Sequence, residues 1–169
     1  MKPLIKKING ITPKFGKDCY LSENTTIIGD VVCGDRCSFW FNSVIRGDVH
    51  FIKIGNEVNI QDGAIVHCTY KKSPTIIGNQ VTVGHNAIVH GCTIKDRVLI
   101  GMGAIVLDDC IIESDSIVAA GAVLTMGTQV KSGEIFAGVP AKKVKEGNFK
   151  KQLLALANKY IEYSKWYED

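Results

Sequence analysis

Three of the four histidines in the sequence, His67, His85 and His90, lie close together in the segment 59–90. Neutral imidazole is the commonest side-chain ligand for metals, and three imidazoles with one open position form the ligand set of many catalytic zinc sites. The residue types therefore predict a centre that binds a transition metal. Whether the three side chains can reach one ion depends on the fold that positions them.

An apolar residue recurs every six residues from Leu21 onwards, with a three-residue insertion after Ile45, a loop after Val66 and one short step before Ile94. A period of six fits neither an α-helix nor the two-residue alternation of an isolated amphipathic strand. It is typical of the hexapeptide parallel β-helix, in which three short strands form each turn of a prism. A β-sandwich would instead show alternation broken by irregular loops. The nineteen periodic positions are Leu21, Ile27, Cys33, Phe39, Ile45, Ile54, Ile60, Val66, Ile77, Val83, Val89, Ile94, Ile100, Val106, Ile112, Val118, Leu124, Val130 and Phe136.

We therefore predict an all-β solenoid over residues 21–141, with about six turns, inside a single domain. Residues 1–20 are expected to form an N-terminal lead-in without a regular pattern. Residues 142–169 are expected to form a linker and an amphipathic C-terminal helix, with Asn148 as its N-cap. This helix should pack back against the solenoid and cover its apolar end.

The register of the repeat predicts which polar side chains stack, because periodic positions three steps apart lie on the same face, one turn apart. Arg46, His67 and His90 each follow such a position directly, so they should form a row with a spacing of about 4.8 Å per turn. Two imidazoles at that spacing can bind one ion. Asp62 and His85 should stack in the same way on the preceding face, where Gln61 also lies on the strand of Asp62.

His85 and His90 lie on different faces, and five residues of extended chain with one corner separate them by about 10–15 Å. That distance is too large for both to bind one metal ion within one chain. The two rows can meet only if a second copy places its His85 beside the His67 and His90 of the first. A cyclic homotrimer is the simplest closed assembly that does this for every subunit.

Composition sets limits on the partners and the compartment. The net charge of +3 does not favour a nucleic acid or membrane partner, and no apolar run approaches the ~20 residues of a membrane span. No secretion signal is visible, which predicts a cytoplasmic protein. The six cysteines are expected to be reduced and mostly buried, since their spacing does not match a Cys-rich zinc site.

The residues around the predicted site resemble the γ-class carbonic anhydrases between about Asp30 and the segment AGVPAKKV. The matching motifs are Arg46-Gly47-Asp48, Asn59-Ile60-Gln61-Asp62, His67, Gly84-His85-Asn86-Ala87 and His90-Gly91-Cys92. The resemblance implies a left-handed parallel β-helix with a C-terminal helix, assembled as a trimer. It also implies a zinc ion, or in some members iron or cobalt, between subunits. One subunit would supply His67 and His90, and its neighbour would supply His85.

The same resemblance suggests roles for the other polar residues. Arg46 and Asp48 match an ion pair at the subunit interface, and Gln61 matches a residue that hydrogen-bonds the metal-bound water. The remaining matches are supporting positions and residues that the C-terminal helix brings to the site: Asn59, Asp62, Asn158 and Tyr160.

The implied activity is the reversible hydration of carbon dioxide to bicarbonate by a metal-bound hydroxide, because the cation lowers the pKa of its bound water toward ~7. The sequence departs from active members in two places. Val49 stands where they carry a glutamate after the Arg-x-Asp motif, and the loop after His67, CTYKKSP, is short and basic where theirs is acidic. Because both glutamates that transfer protons are absent, the resemblance implies weak activity.

Two other functions remain open. A hexapeptide-repeat acyltransferase, or a related thioesterase, would share the fold, bind acyl-coenzyme A between subunits and use one histidine as a general base. Three aligned histidines favour the metal centre, since one base requires one imidazole. A non-catalytic metal-binding or assembly protein is the further alternative, and an assay of carbon dioxide hydration would distinguish it from an enzyme.

Overall fold

Tight corners separate the short strands at the predicted period, and most of them are turned by Asn, Asp or Gly in the left-handed backbone region that these residues tolerate. Examples are Asn42 (φ 59°), Gly63 (φ 67°) and Asn86 (φ 57°). The structure is a computed structural model that describes residues 2–167. It is a left-handed parallel β-helix of about seven turns, followed by one C-terminal α-helix. The predicted fold class is confirmed.

The secondary structure consists mainly of strands of two or three residues. In chain order the elements are β1 Leu4–Lys6, β2 Tyr20–Leu21, β3 Thr26–Cys33, β4 Ser38–Phe39, β5 Val44–Ile54, β6 Asn59–Ile60, β7 Ile65–His67, β8 Thr75–Ile77, β9 Thr82–Val83, β10 Ile88–His90, β11 Thr93–Ile94, β12 Leu99–Ile100, β13 Ile105–Val106, β14 Ile111–Ile112, β15 Ile117–Val118, β16 Val123–Leu124, β17 Gln129–Val130, β18 Glu134–Gly138, β19 Ala141–Glu146, α1 Lys150–Ser164 and a 3-10 helix Lys165–Tyr167.

The prism has three faces, and neighbouring turns pair their strands in parallel along each face. The first face contains β16, β13, β10, β7 and the first half of β5, and the second contains the second half of β5 with β8, β11, β14 and β17. The third contains β2, β4, β6, β9, β12, β15 and β18. Strands β3 and β5 are long because they continue through the corner between the first two faces, where the insertion after Ile45 lies.

The side chains at the periodic positions fill the interior. All of them are buried except Leu21 and Phe136, which lie near the two ends and are partly exposed. Aliphatic side chains of successive turns stack on one another: Ile45 pairs with Val66, and Val66 pairs with Val89. Since each buried aliphatic side chain contributes roughly 1.5–3 kcal/mol, this continuous column is the main source of stability and fixes the register on which the polar rows depend.

The predicted lead-in partly joins the solenoid. Strand β1 pairs in parallel with β3, and Lys14 forms a bridge with Val32. Residues that were expected to have no regular pattern thus extend the prism at its N-terminal end, and the structure has about seven turns where the sequence predicted about six. The difference arises because the apolar spacing is irregular before Leu21, although the backbone can still pair with the turn above.

The C-terminal segment also differs from the prediction. Residues expected to form a linker instead form β19, which pairs antiparallel with β18. Helix α1 is confirmed, but its N-cap residue is Phe149 rather than Asn148, and no side chain caps it. The Asn148 carboxamide oxygen accepts a hydrogen bond from the Lys150 amide at 3.3 Å.

Helix α1 lies along the third face. It does not cover the apolar end of the solenoid, which differs from the prediction. Its residue Leu156 shares a cavity with Leu99 of β12, and further along Tyr160 packs against Trp40, next to β4, with ring centroids 5.6 Å apart. The chain then brings Tyr167 against Tyr20 of β2. Within residues 2–167, no helix combines the length and the apolar character that crossing a bilayer demands.

Candidate metal centre

His67 and His90 lie side by side on the first face, at the ends of β7 and β10. The two residues are direct partners in the parallel register, one turn apart. Nδ1 of His67 is 3.1 Å from Nε2 of His90, and the ring centroids are 5.1 Å apart. The structure therefore brings together the two histidines that the repeat register predicted to stack.

Each of these imidazoles also contacts a carboxylate through its other nitrogen. Nε2 of His67 is 3.1 Å from Oδ1 of Asp48, and Nδ1 of His90 is 2.6 Å from Oδ1 of Asp108. The second oxygen of Asp48 accepts a hydrogen bond from Arg46 at 2.5 Å. Arg46 and Asp48, which the resemblance places in an ion pair between subunits, thus already pair within this chain, and Asp48 links Arg46 to His67.

Asp108 is a site residue that the sequence analysis did not identify. It lies one turn above His90, two residues after the periodic position Val106, and its other oxygen accepts a hydrogen bond from Thr69 at 2.6 Å. Gly91 makes this approach possible, because a Cβ at that position would lie 2.1 Å from Oδ1 of Asp108. The register pairs Val89 with Val106, so it places Leu107 in the column of His67 and His90 and Asp108 level with Gly91. The register alone therefore did not indicate Asp108.

The electrostatic surroundings of the site lower the pKa values of His67, Asp48 and Asp108. Burial, the largest cause, lowers the pKa of His67 and outweighs the hydrogen bond with Asp48, which raises it. Burial acts to raise the pKa of Asp48, but hydrogen bonds from Arg46 and His67 bring it below its usual value. In the same way, hydrogen bonds from Thr69 and His90 overcome burial and lower the pKa of Asp108.

This arrangement fits a bound cation. A ring N–H must point at each ionised carboxylate, so Nε2 of His67 and Nδ1 of His90 are donors, and in two neutral rings the facing nitrogens both carry lone pairs. Two lone pairs at 3.1 Å repel each other unless a positive charge lies between them. Ligand nitrogens that share one tetrahedral ion at about 2.1 Å lie about 3.4 Å apart. Carboxylates behind metal-binding imidazoles are also a common supporting arrangement.

His85 lies on the third face, away from this pair. It follows β9, and its Nδ1 is 2.8 Å from Oδ2 of Asp62, which follows β6 one turn below. The predicted stacking of Asp62 and His85 is therefore observed. Both side chains are about two-fifths exposed, at 41% for His85 and 42% for Asp62. Within residues 2–167, no hydrogen bond or ring contact joins His85 to His67 or His90.

Gln61 is buried and held by a short chain of hydrogen bonds along the third face. Its Nε2 donates to Oδ1 of Asn59 at 3.0 Å, and Nδ2 of Asn59 donates to Oγ1 of Thr82 at 2.9 Å. Each of these bonds uses one N–H of an amide group, and the carbonyl oxygen of Gln61 has no protein donor among the described residues. Asn59 therefore holds the side chain of Gln61 in place.

A mainly apolar cavity of about 350 Å³ lies between helix α1 and the third face, and Gln61, His85 and Tyr160 line it. Tyr160 therefore lies in the same cavity wall as two of the predicted site residues. Burial, followed by the charge of Asp62, raises the pKa of Tyr160, so its hydroxyl stays protonated at neutral pH. Asn158, the other helix residue implied by the resemblance, is exposed and is not part of this wall.

The two departures from active carbonic anhydrases are also visible in the structure. The side chain of Val49 is partly buried and packs against the hydrophobic core. The loop after His67 closes on itself through a bridge between Thr69 and Ser73, with Tyr70 at its exposed tip. Neither Val49 itself nor the loop after His67 supplies a carboxylate or an imidazole.

Known proteins resemble both the sequence and the fold. A family profile described as "Bacterial transferase hexapeptide (six repeats)" matches residues 91–125. Gamma carbonic anhydrase 2 of Arabidopsis thaliana, a mitochondrial protein, is 41% identical over 78% of this chain and 49% of its own length. The chain thus spans about half the length of the first curated relatives that it matches.

Two further relatives are covered over most of their length. A protein of Methanocaldococcus jannaschii named as a probable carbonic anhydrase is 41% identical over 77% of this chain and 81% of its own. The solved structure of a hexapeptide transferase family protein from Anaplasma phagocytophilum is 39% identical, covers 99% of both chains and has a TM-score of 0.93. The chain therefore belongs to the γ-class carbonic anhydrase family of hexapeptide-repeat proteins.

Proposed function

We propose that this protein catalyses the reversible hydration of carbon dioxide to bicarbonate at a metal centre shared between the subunits of a homotrimer. The observation that carries the proposal is the pair of facing imidazole nitrogens, 3.1 Å apart, each with a carboxylate behind its ring. The carbonic anhydrase names of the relatives support the same activity.

His67 and His90 of one subunit, together with His85 of a neighbouring subunit, would hold the metal. The exposure of His85 supports this, since an exposed side chain on one face is available to a second chain. Zinc, or alternatively iron or cobalt, would supply a Lewis acid that lowers the pKa of water toward ~7 and so provides hydroxide at neutral pH. Each copy in the trimer would contribute one half-site to each of its two neighbours.

The remaining residues have roles that follow from their contacts. Asp48 and Asp108 orient the two rings and increase their basicity, and Arg46 holds Asp48. Gln61, fixed by Asn59, offers a carbonyl oxygen that can accept a hydrogen bond from substrate water and orient it. Tyr160 and the apolar wall of the cavity favour an uncharged, weakly polar substrate such as carbon dioxide.

Export of the proton is the step for which this chain is least equipped. In the positions where active members carry glutamates, it has Val49 and a basic loop. We expect the catalysed rate to be limited by proton transfer to external buffer.

Stopped-flow measurement of carbon dioxide hydration on metal-replete protein tests the proposal, with His90→Ala as the inactive control. Hydration above the control, together with about one metal ion per chain, would support it. One metal ion per chain without hydration would leave a non-catalytic metal-binding protein. Absence of metal would remove both.

An acyltransferase is the second candidate, because the matching family profile and the solved relative both carry transferase names. Acyl-coenzyme A would have to bind between subunits, where a histidine could act as a general base. The test is thermal protection: an increase in melting temperature with coenzyme A, unchanged in His90→Ala, would favour this candidate over hydration. A thioesterase would give the same protection and would differ by releasing free acid from acyl-coenzyme A.

A further inference from the structure

Three cysteines, Cys19, Cys33 and Cys37, meet at one corner near the N-terminal end of the prism. Their sulfur atoms all lie within 4.8 Å of one another, and Sγ of Cys19 is 4.0 Å from Sγ of Cys33. The sequence spacing had suggested no cysteine metal site, because the contact depends on stacking of two turns. Tyr20 pairs with Ser38 in adjacent turns, which places Cys19 directly below Cys37.

The composition of this corner departs from that of the turns above it. In the register, Cys33 pairs with Ile54, and Ile54 with Ile77. Cys37 likewise lies below Val58, as the pairing of Ser38 with Asn59 shows. The next turns thus fill the same corner with aliphatic side chains, which carry no sulfur. Three thiols that meet at one point therefore give this corner a set of soft ligands that the next turns lack.

We propose that Cys19, Cys33 and Cys37 form a binding site for a monovalent copper ion, separate from the histidine centre. Soft thiolate ligands select Cu(I), zinc and iron–sulfur clusters over hard cations. Three sulfur atoms in a triangle around an ion, each at about 2.3 Å, lie about 4.0 Å apart. One separation is 4.0 Å and none exceeds 4.8 Å, so small side-chain rotations would complete the triangle.

The number of ligands distinguishes copper from zinc. Structural zinc is almost always four-coordinate, and in the described part of the chain no fourth histidine, cysteine or carboxylate belongs to this group. Cu(I) has a filled d shell and accepts three ligands in a plane. Binding would release a proton from each thiol to solvent, with no change in the oxidation state of copper or sulfur.

The contacts of the thiols are compatible with this exchange. Sγ of Cys19 donates to the carbonyl oxygen of Gly34 at 3.3 Å, and Sγ of Cys37 donates to that of Gly55 at 3.1 Å. Both are weak hydrogen bonds that an ion can replace. Cys33 and Cys37 are buried, whereas Cys19 is partly exposed and provides the route of entry. A disulfide would require about 2.05 Å between two sulfurs, further from the observed 4.0 Å than the metal geometry is.

Anaerobic titration of the reduced protein with Cu(I), in competition with a chromogenic Cu(I) chelator, tests the site. We expect one copper ion per chain, with ultraviolet absorption from thiolate-to-copper charge transfer and three sulfur neighbours in X-ray absorption spectra. Cys19→Ala, at a partly exposed position, should fold and lose at least about 100-fold in copper affinity, since losing a ligand costs more than losing an outer partner.

Cys110→Ala is the matched control, because it removes a buried thiol outside the group. It should keep the absorption and the affinity of the parent. The double variant His67→Ala/His90→Ala should keep them as well, which separates this site from the histidine centre. Equal copper affinity in Cys19→Ala and the parent would refute the proposal, as would nitrogen neighbours around the bound copper. Preferential binding of one zinc ion by these cysteines would refute the choice of copper.

Discussion

His67 and His90 meet with Nδ1 of the first 3.1 Å from Nε2 of the second, while each ring donates its remaining N–H to an aspartate. The aspartates fix which nitrogen of each ring keeps its lone pair, and the register of β7 and β10 makes these two lone pairs face each other. The backbone thus sets the distance between the rings, and the carboxylates set their chemistry.

Asp108→Asn should weaken metal binding by about 10- to 100-fold, because the variant removes the charge that increases the basicity of His90. The matched control is Asp109→Asn. The carboxylate of Asp109 accepts a hydrogen bond from Ser73 and not from a histidine. The backbone of Asp109 is left-handed (φ 60°), a conformation that suits asparagine. Competition with a zinc chelator measures both affinities. Equal losses in the two variants would mean that Asp108 acts only through local folding.

The metal-free protein should lose stability as the pH falls below about 6.5, the usual pKa of histidine. The folded pKa of His67 is lowered, chiefly by burial, so between the two pKa values the unfolded chain binds a proton more readily than the folded one. The stability is therefore complete above the unfolded pKa and is lost as the pH falls through the folded one. Melting temperatures between pH 8 and 5 measure this.

The control for that experiment is His67→Gln, which cannot titrate and should show a flatter pH dependence in the same window. Asp48 and Asp108 have lowered pKa values, so their contribution is lost only below about pH 4, outside this range. An identical slope for parent and variant would show that another group controls the acid transition.

Mixed oligomers test whether the metal site is shared. His67→Ala and His85→Ala proteins each lack one ligand at every site, but an interface between the two types can regain all three. Random assembly at equal amounts restores about one quarter of the interfaces in a cyclic trimer, so metal content should recover to about one quarter of the parent value. Mixing His67→Ala with His90→Ala should restore none, because both residues belong to the same half-site. Elemental analysis of co-purified oligomers measures the outcome, and no recovery in the first mixture would exclude a shared site.

The hexapeptide repeat fixes the register of the turns, and the sequence predicted the contacts that depend on this register alone. Stacking of His67 on His90 and of His85 on Asp62 depends only on the register, which the buried apolar positions determine. The contact of Asp108 with His90 was not predicted. It depends on the room that Gly91 leaves and on side-chain direction at a corner. Helix α1 lies along a face instead of over an end because Leu153 and Ala157 bury themselves there, and an amphipathic pattern does not specify its partner.

Val49→Glu should increase the rate of carbon dioxide hydration, by about 10- to 100-fold if proton export limits the parent. Val49 lies next to Asp48, whose carboxylate contacts His67, so a glutamate there would add a proton acceptor beside the centre. Because the Val49 side chain packs against the core, we expect Val49→Glu to lose some stability. The control Val49→Gln should lose a similar amount, and it cannot carry a proton.

The decisive measurement is the dependence of the hydration rate on external buffer. An imidazole buffer should accelerate the parent and Val49→Gln strongly and Val49→Glu little, because the new carboxyl would already perform the transfer. If all three proteins respond equally to buffer, proton export is not the step that limits the hydration rate, and the missing glutamates do not explain a slow rate.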